Sequence, residues 1–598
     1  MCAKALSTRT STAMQYDVLL IHPPAIYDFR KRIAFPGPIA QTLSESTEQF
    51  ITIPFGMLSI ADYLDRNGHA TLVDNLGYRM VSSEEFDAEN HIKNISAKVY
   101  AVGLHWIVHC QGAIELARLC KGLHPGSLVV LGGLTAACFH VEILQKFEFV
   151  DAVIRGEAER PLLQLVKNME SNKPLSVTPS VTCRSDNGRV SVAPLMKPSV
   201  DLDDYEFTRL DLLEPKSSIP THWKIPVCRG CIYNCVACGG SAYSYRTYLG
   251  MDRPSFRSPT KIAEDIQKLL GQGVRFIGLS QDPRMGGKKY SKELITELAS
   301  EKLDVMRLAL DLLSPADEDF VEGLSRTGMP TVLTISPESG TYHVRKSHGR
   351  NWSDEDCIKT AQLCHKYGVP ITFFFMVGLA EETQETIRET WNMWEELCLI
   401  DQKARFEGRF GDLERYFPIG GPIIGQMILL DPGSLAFDFP AKYGYRLIFR
   451  NLEEYIRGLS APSWHQWISY ETKHLDRNAL AKLFLESIEN SIYEREKHGM
   501  YDKTQATMER FGVMAQRIVI DEVDRMPSFN QTEQSTRLRS LKEALDEYSL
   551  GKAPSSEADP YGYRRRMRET LRLSIGLVEG GDTDHFGANI FQLMSVGR

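Results

Sequence analysis

Four cysteines, Cys228, Cys231, Cys235 and Cys238, fall within eleven residues of the segment VCRGCIYNCVACGGSAY. The spacing Cys231-x3-Cys235-x2-Cys238 places three thiols on one tight loop, close enough to hold three corners of an iron–sulfur cube. Thiolates are the usual protein ligands of such clusters, and a cube held at three corners leaves one iron open. Three other uses of the same residues stand beside this one. Two cysteine pairs separated by three residues would form a short-ringed, all-cysteine zinc site. The four could pair as disulfides, or Cys228 could close the cube as a fourth ligand and leave it to electron transfer. The other eight of the twelve cysteines, Cys2, Cys110, Cys120, Cys138, Cys183, Cys357, Cys364 and Cys398, are scattered and read as small buried hydrophobes or isolated surface thiols.

The loop needs a rigid frame, and the flanking pattern supplies one. From Trp223 to about Leu430 strand-like runs (VRFIGLS, VMRLALDLL, TVLTISPES, PITFFFMVGL) alternate with helical stretches, which suggests a full or partial βα barrel. A separate series precedes it. YDVLLIHPP, ATLVDNL, VYAVGLHW, SLVVLGGL and DAVIRGEAE read as continuous apolar strands, with helical candidates at Phe55–Arg66 and Gly112–Leu123. That alternation implies a doubly wound, Rossmann-like parallel sheet, whose ligands sit at the carboxyl ends of the strands. Between the two lies a connector with a small hairpin, VTCRSDNGRVSVAP, turning at Asp186-Asn187-Gly188. Beyond Phe439 helical patterns dominate, at Lys442–Leu459, Asn478–Lys497 and Ser535–Tyr548.

RGCIYNCVAC at the first βα loop resembles the radical S-adenosylmethionine (SAM) signature, in the RGC-x-YNC form of relatives that carry a cobalamin-binding domain. The resemblance implies a [4Fe-4S] cluster on Cys231, Cys235 and Cys238, with SAM on the open iron. Ala237 stands where that family usually has an aromatic residue. Ser336-Pro337-Glu338-Ser339-Gly340 resembles the G-x-E-S-G segment facing the SAM ribose and methionine groups, and Arg345, with Lys346 and His348, the basic stretch after it. Met376 and Gly378, followed by Glu381-Glu382-Thr383, resemble the turn that brackets adenine. Ser280 and Gln281 fall at the position of the usual Gly-Gly-Glu motif, which this chain replaces with Gly278-Leu279-Ser280-Gln281-Asp282.

In the front domain Pro54, Phe55 and Gly56, and Gly156 with Glu157, resemble segments common in cobalamin domains that precede such barrels. For a cobalamin there, Gly132 and Gly133 would let the backbone approach the nucleotide tail, and Thr135 would donate a hydrogen bond to it. The D-x-H-x-x-G motif of other cobalamin enzymes is missing, and His22 lies within HPP, so the cobalt is expected to carry no protein histidine. His105, Trp106 and His109 follow the third strand at the ligand edge. The expected organisation is a leader at 1–15, a cobalamin-binding domain at 16–170, a linker at 171–220, a radical SAM barrel at 221–435 and a helical region at 436–598.

Composition narrows the partners. Apolar residues make up 43% and charged residues 24% of the 598, and the net charge is −8, so no basic field draws nucleic acid or acidic lipid. No run approaches the roughly 20 apolar residues of a membrane span, and the start lacks the order of a secretory signal. A cytoplasmic location follows as the expectation. Trp464, His465, Trp467 and Tyr470 form the densest aromatic group, and helical spacing makes core packing its ordinary reading. Arg564, Arg565, Arg566 and Arg568 read as a solvated helix face. The resemblance implies a methyltransferase that passes a methyl group from methylcobalamin to an unactivated carbon through a 5′-deoxyadenosyl radical. Its substrate would be a small molecule such as a natural-product intermediate, free or tethered to a carrier protein, and its electrons would come from a flavodoxin or ferredoxin. Cyclisation, ring rearrangement or oxidation with the same cofactors is the alternative reaction, and a cobalamin or redox sensor the alternative without turnover.

Overall fold

A computed structural model describes residues 15–37, 52–185, 187–218, 222–415, 421–549, 560–567 and 569–570. Cys2, Asp186, Arg568 and all of the expected leader but Gln15 lie outside the described residues. The chain forms two compact units, one of residues 1–30, 49–220 and 246–251, the other of 31–48, 221–245 and 252–598.

The first unit is built on an eight-stranded sheet. Its strands are β1 (Gln15–His22), β2 (Thr71–Asn75), β3 (Ser96–Gly103), β4 (Leu128–Gly132), β5 (Ala152–Ile154), β6 (Val181–Arg184), β7 (Val190–Val192) and β8 (Leu213–Glu214). They lie in the order β7-β6-β5-β4-β3-β1-β2-β8, with β6 antiparallel to both of its neighbours and the other pairs parallel. Val18, Leu19, Leu20 and Ile21 of β1 are all buried, as expected of a parallel strand covered on both faces. The order of the first five strands is the doubly wound 2-1-3-4-5 arrangement, so strand order reverses between β1 and β3, where such sheets open a ligand crevice. The edge strand β8 falls in the stretch read from sequence as linker.

The second unit carries the barrel. Strands β9 (His222–Pro226), β12 (Phe276–Ser280), β13 (Arg307–Leu312), β14 (Thr331–Glu338), β15 (Ile371–Met376) and β16 (Ile423–Gln426) pair in parallel and in sequential order, a six-stranded partial barrel. A short antiparallel ribbon, β10 (Cys228–Arg229) with β11 (Ser255–Phe256), flanks the cysteine loop. Along β12 and β13 burial alternates residue by residue, so one face packs while the other stays partly open.

After the barrel come the long helices Arg477–Lys497, Lys503–Arg525 and Gln531–Ser549, the second of which the sequence reading did not single out. The helix expected over Lys442–Leu459 is interrupted. A 3-10 turn leads to left-handed Gly444 and strand β17 (Tyr445–Leu447), and only Leu452–Leu459 is helical, capped by Asn451. The aromatic group is core, although not one helix face. Trp464 and Trp467 lie on a 3-10 turn and Tyr470 on strand β18 (Tyr470–Thr472), all buried. Arg564 corrects the solvated-face reading of its run, because it is buried in an ion pair with Glu547 at 2.8 Å.

At the end of β4, Gly133 takes φ +117°, and a Cβ there would lie 2.6 Å from the Leu104 carbonyl oxygen and from the Cα of His105. The glycine therefore answers a close backbone approach inside the sheet edge as well as a left-handed turn. Gly133→Ala is expected to cost about 2–4 kcal/mol. Hydrogen exchange of the full chain should then show faster exchange at the β3 and β4 amides, by about 100-fold, with β13 and β14 unchanged. Unaltered protection of β3 would show that the turn tolerates a side chain.

Candidate active site

The cysteine loop leaves β9 at the rim of the barrel. Val227 donates its N–H to the Ser280 carbonyl at the end of β12 (3.0 Å), and its own carbonyl accepts from Arg257 N–H (2.9 Å), which fixes the strand's exit. Backbone N–H groups point at two of the sulfurs, Tyr233 at Cys231 Sγ (3.4 Å) and Gly240 at Cys238 Sγ (3.3 Å). Cys235 is buried, Cys231 half-buried and Cys238 exposed. Burial pushes the Cys235 thiol up to about 11, opposed by the nearby Arg350 cation. Such a thiol stays protonated until a metal displaces the proton. Amide donors aimed at sulfur suit a metal thiolate, so the loop fits a cluster on Cys231, Cys235 and Cys238. Cys228 sits in the β10–β11 ladder, its thiol 3.7 Å from the Gly230 carbonyl.

Beside this loop lies a buried ion pair. Strand β14 changes register against β15 between Ile335 and Glu338, and Glu338 takes a left-handed φ of +71°. Its carboxylate meets Arg350 Nε at 3.1 Å, and Arg350 Nη1 also donates to the Leu313 carbonyl (3.2 Å). Gly349 permits this approach, because a Cβ there would lie 2.9 Å from the Asn234 carbonyl oxygen. The cation that acts electrostatically on Cys231 and Cys235 is thus Arg350.

Arg345, the basic residue singled out from sequence, has a different task. It is fully buried and donates to the carbonyls of Ser339 (2.7 Å) and Trp352 (3.1 Å) and to Asp354. It braces the turn. Ser339 is likewise engaged, sharing a hydrogen bond with Thr390 Oγ1 (3.2 Å) and accepting from Thr341 N–H (3.1 Å). Ser336, on the partly open face of β14, donates to the Phe374 carbonyl (3.2 Å), and Met376 ends β15 on the same kind of half-exposed position. Ser280 ends β12, and Gln281 after it is left-handed at φ +78°.

Two residues near the loop escaped the sequence reading. Arg350 closes the stretch His348-Gly349-Arg350, two residues beyond the last of the basic residues that drew notice. Asp431, from the loop after β16, accepts the Gly239 N–H (3.0 Å) next to Cys238, and burial pushes it up to about 6. An Asp-Pro-Gly turn after a strand was the only local signal for it.

In the first unit several expected cobalamin contacts are occupied within the fold. Thr135 donates its hydroxyl to the His105 carbonyl (3.1 Å). Phe55 packs edge-on against Phe207 at 5.9 Å, and Glu157 accepts the Ser199 N–H (2.7 Å). Gly156 takes φ +77°, with the Leu249 carbonyl oxygen 3.1 Å from where a Cβ would lie. Pro54 precedes the helix Gly56–Arg66, and around Gly56 the space is open within 4 Å. Gly132, the last residue of β4, meets nothing closer than the Ile154 carbonyl oxygen at 3.9 Å. At the carboxyl ends of β1 and β3 stand His22, His105, Trp106 and His109. Burial, with a smaller effect from His109, lowers the His105 imidazole to about 4 and keeps it neutral.

Gly378, left-handed at φ +94°, donates its N–H to Glu382 (2.6 Å). The other Glu382 oxygen and the Tyr470 hydroxyl are buried without hydrogen-bond partners among the described residues. Burial raises Glu382 from 4.5 to about 8, against the pull of the Gly378 and Leu379 amides. The folded chain therefore binds this proton more tightly than the unfolded one, and stability falls as pH rises through that window. In Glu382→Gln the titration is gone. The variant's melting temperature should gain about 2–4 °C on the wild type between pH 5 and pH 8, read by scanning fluorimetry. Parallel pH profiles would exclude a buried proton here.

Residues 225–393 match the family model of the radical SAM superfamily, and residues 46–166 that of the B12 binding domain. The chain is 21% identical over 383 residues to an uncharacterised methyltransferase of Pyrococcus horikoshii, covering 62% of this chain and 76% of that protein. To the anaerobic magnesium-protoporphyrin IX monomethyl ester cyclase of Rubrivivax gelatinosus it is 25% identical over 290 residues, 46% of this chain and half the length of the cyclase. The fold is shared with the radical SAM methyltransferase TsrM of Kitasatospora setae, solved with cobalamin and a [4Fe-4S] cluster. The TM-score is 0.54 at 13% identity, over 89% of this chain and 100% of that one. With a B12 binding domain, a radical SAM domain and the three-cysteine loop on one chain, this protein is a cobalamin-dependent enzyme of the radical SAM superfamily, using a [4Fe-4S] cluster, SAM and cobalamin.

Proposed function

We propose that the chain is a C-methyltransferase acting on an unactivated carbon of a small molecule. The observation that carries this reading is the breadth of the match to the Pyrococcus methyltransferase, 76% of that protein against half of the cyclase. When bound, the cluster with SAM supplies a primary carbon radical and cobalamin supplies the methyl group, hard chemistry that no side chain performs. The residues do the holding. Cys231, Cys235 and Cys238 ligate the cluster, and Arg350 offsets negative charge beside it. Ser280, Gln281, Ser336, Glu338, Met376 and Gly378 are the edges offered to SAM. Lys224 of β9 and Asp311 of β13 lie 3.9 Å apart, with Thr334 donating to Asp311 at 2.6 Å. They give the barrel's open face polar groups suited to orienting a small polar substrate, free or carrier-tethered. Electrons would come from a flavodoxin or ferredoxin in the cytoplasm; among the described residues no helix is long and apolar enough to cross a membrane. The cyclase relative supports a second reading, cyclisation without methyl transfer.

Anaerobic protein reconstituted with iron, sulfide and hydroxocobalamin, then given SAM and dithionite, separates the two. A methyltransferase forms both 5′-deoxyadenosine and S-adenosylhomocysteine, and the Cys231→Ala, Cys235→Ala, Cys238→Ala triple variant loses its iron and the 5′-deoxyadenosine. 5′-Deoxyadenosine without S-adenosylhomocysteine would replace methylation with the cyclase-type outcome. Removing the cation in Arg350→Gln should lower the cluster's midpoint potential by tens of millivolts, on the order of a screened unit charge a few ångströms away. An EPR-monitored redox titration reads this, and an unmoved potential would place Arg350 outside the cluster's field.

A further inference from the structure

The carboxyl ends of β1 and β3 in the first unit carry a group of rings that the reaction described above does not use. His22 ends β1, and His105, Trp106 and His109 follow β3. His22 and His109 pack edge to face at 4.9 Å between ring centroids, and His105 stands perpendicular to Trp106 at 4.7 Å. His22 and His109 are buried, whereas His105 is half-buried and among the described residues neither of its ring nitrogens has a hydrogen-bond partner. Its backbone is held from several directions. Leu104 N–H reaches the Gly132 carbonyl (2.7 Å), the His105 carbonyl accepts from Thr135 N–H (3.1 Å), and Ala136 N–H reaches the Leu104 carbonyl (3.1 Å). The Gly133 turn closes on the same two residues.

An imidazole with an available ring nitrogen, on a fixed backbone at the point where strand order reverses, has the donor chemistry of a metal ligand. Held this firmly, it meets a ligand without reorganising. The cofactor of this unit brings one metal. We propose that His105 would supply a nitrogen ligand to the cobalt of bound cobalamin. The sequence expectation of no protein histidine on cobalt rested on a missing motif after the first strand; here the third strand supplies the imidazole. The inference rests on cobalamin binding alone and is independent of methyl transfer.

The full-length protein is loaded with cob(II)alamin, and bound corrin is measured by absorbance before the EPR spectrum is taken. One imidazole nitrogen on cobalt splits each cobalt line into three. Uniform 15N-histidine labelling should reduce the three lines to two, and His105→Ala should abolish the splitting while corrin is retained. His109→Phe should keep the two-line pattern, which covers the case of an alanine variant that does not fold. Three lines persisting in labelled protein would assign the nitrogen to the cofactor's own base. No nitrogen splitting in the wild type, or two lines surviving in His105→Ala, would likewise overturn the proposal. Protein that retains no corrin would fail at the first measurement and remove the cofactor assignment together with its ligand.

Discussion

Three thiolates on one short loop repel one another. At separations of a few ångströms and an effective dielectric near 20, each pair costs about 3 kcal/mol, more than the turn's backbone hydrogen bonds return. The loop around Cys231, Cys235 and Cys238 escapes this only by keeping its thiols protonated or by binding cations, and burial already favours the protonated form at Cys235. Much of the surrounding rim can be read as managing that one conflict. Amides of Tyr233 and Gly240 face two of the sulfurs. The Asp431 carboxylate accepts the Gly239 N–H, and Arg350 brings a positive charge that acts on Cys231 and Cys235.

A cation placed there needs its own partner, because a lone buried charge is costly. Glu338 fills that role, and reaching it explains a local irregularity. After Ile335 the register of β14 shifts so that Glu338 pairs with Phe375, and the left-handed backbone at Glu338 accompanies a carboxylate that meets Arg350. Strain in a non-glycine residue persists where the surroundings over-determine it. Here Arg345 grips the following turn through the Ser339 carbonyl, and Gly340 abuts the Thr390 backbone, 2.5 Å from where a Cβ would lie. Two arginines of one short segment thus divide the work, one bracing backbone and the other carrying charge beside the cluster loop.

What the sequence disclosed follows from periodicity and local chemistry. Continuous apolar runs marked β1 to β5 because covered parallel strands have no polar face, and the cysteine spacing marked the loop because its function is local. The division of labour between Arg345 and Arg350 was not legible. Both are basic and five residues apart, and only the close approach of Gly349 to Asn234 decides which one reaches the cysteines. Thr135 and Gly133 looked like ligand contacts for a similar reason. Small residues at a strand end suit either a cofactor or a neighbouring strand, and both of these meet the Leu104–His105 backbone. The Lys442–Leu459 pattern misled because Gly444 ends the first turn in a left-handed conformation, which a helical period does not register.

Both units place their chemistry at the carboxyl edge of parallel strands, by different means. In the open sheet the reversal between β1 and β3 sends crossover helices to opposite faces, and a crevice remains where they part. The barrel has no reversal; its strands follow one another in order, so no crevice of that kind exists. Its opening comes from incompleteness. A closed eight-stranded barrel fills its interior with side chains, whereas six strands leave the alternate positions of β12 and β13 partly open. Lys224 and Asp311 can then remain polar on the wall without the burial cost they would meet in a filled core. Six strands in place of eight thus leave room for polar groups on the inner wall as well as at the mouth.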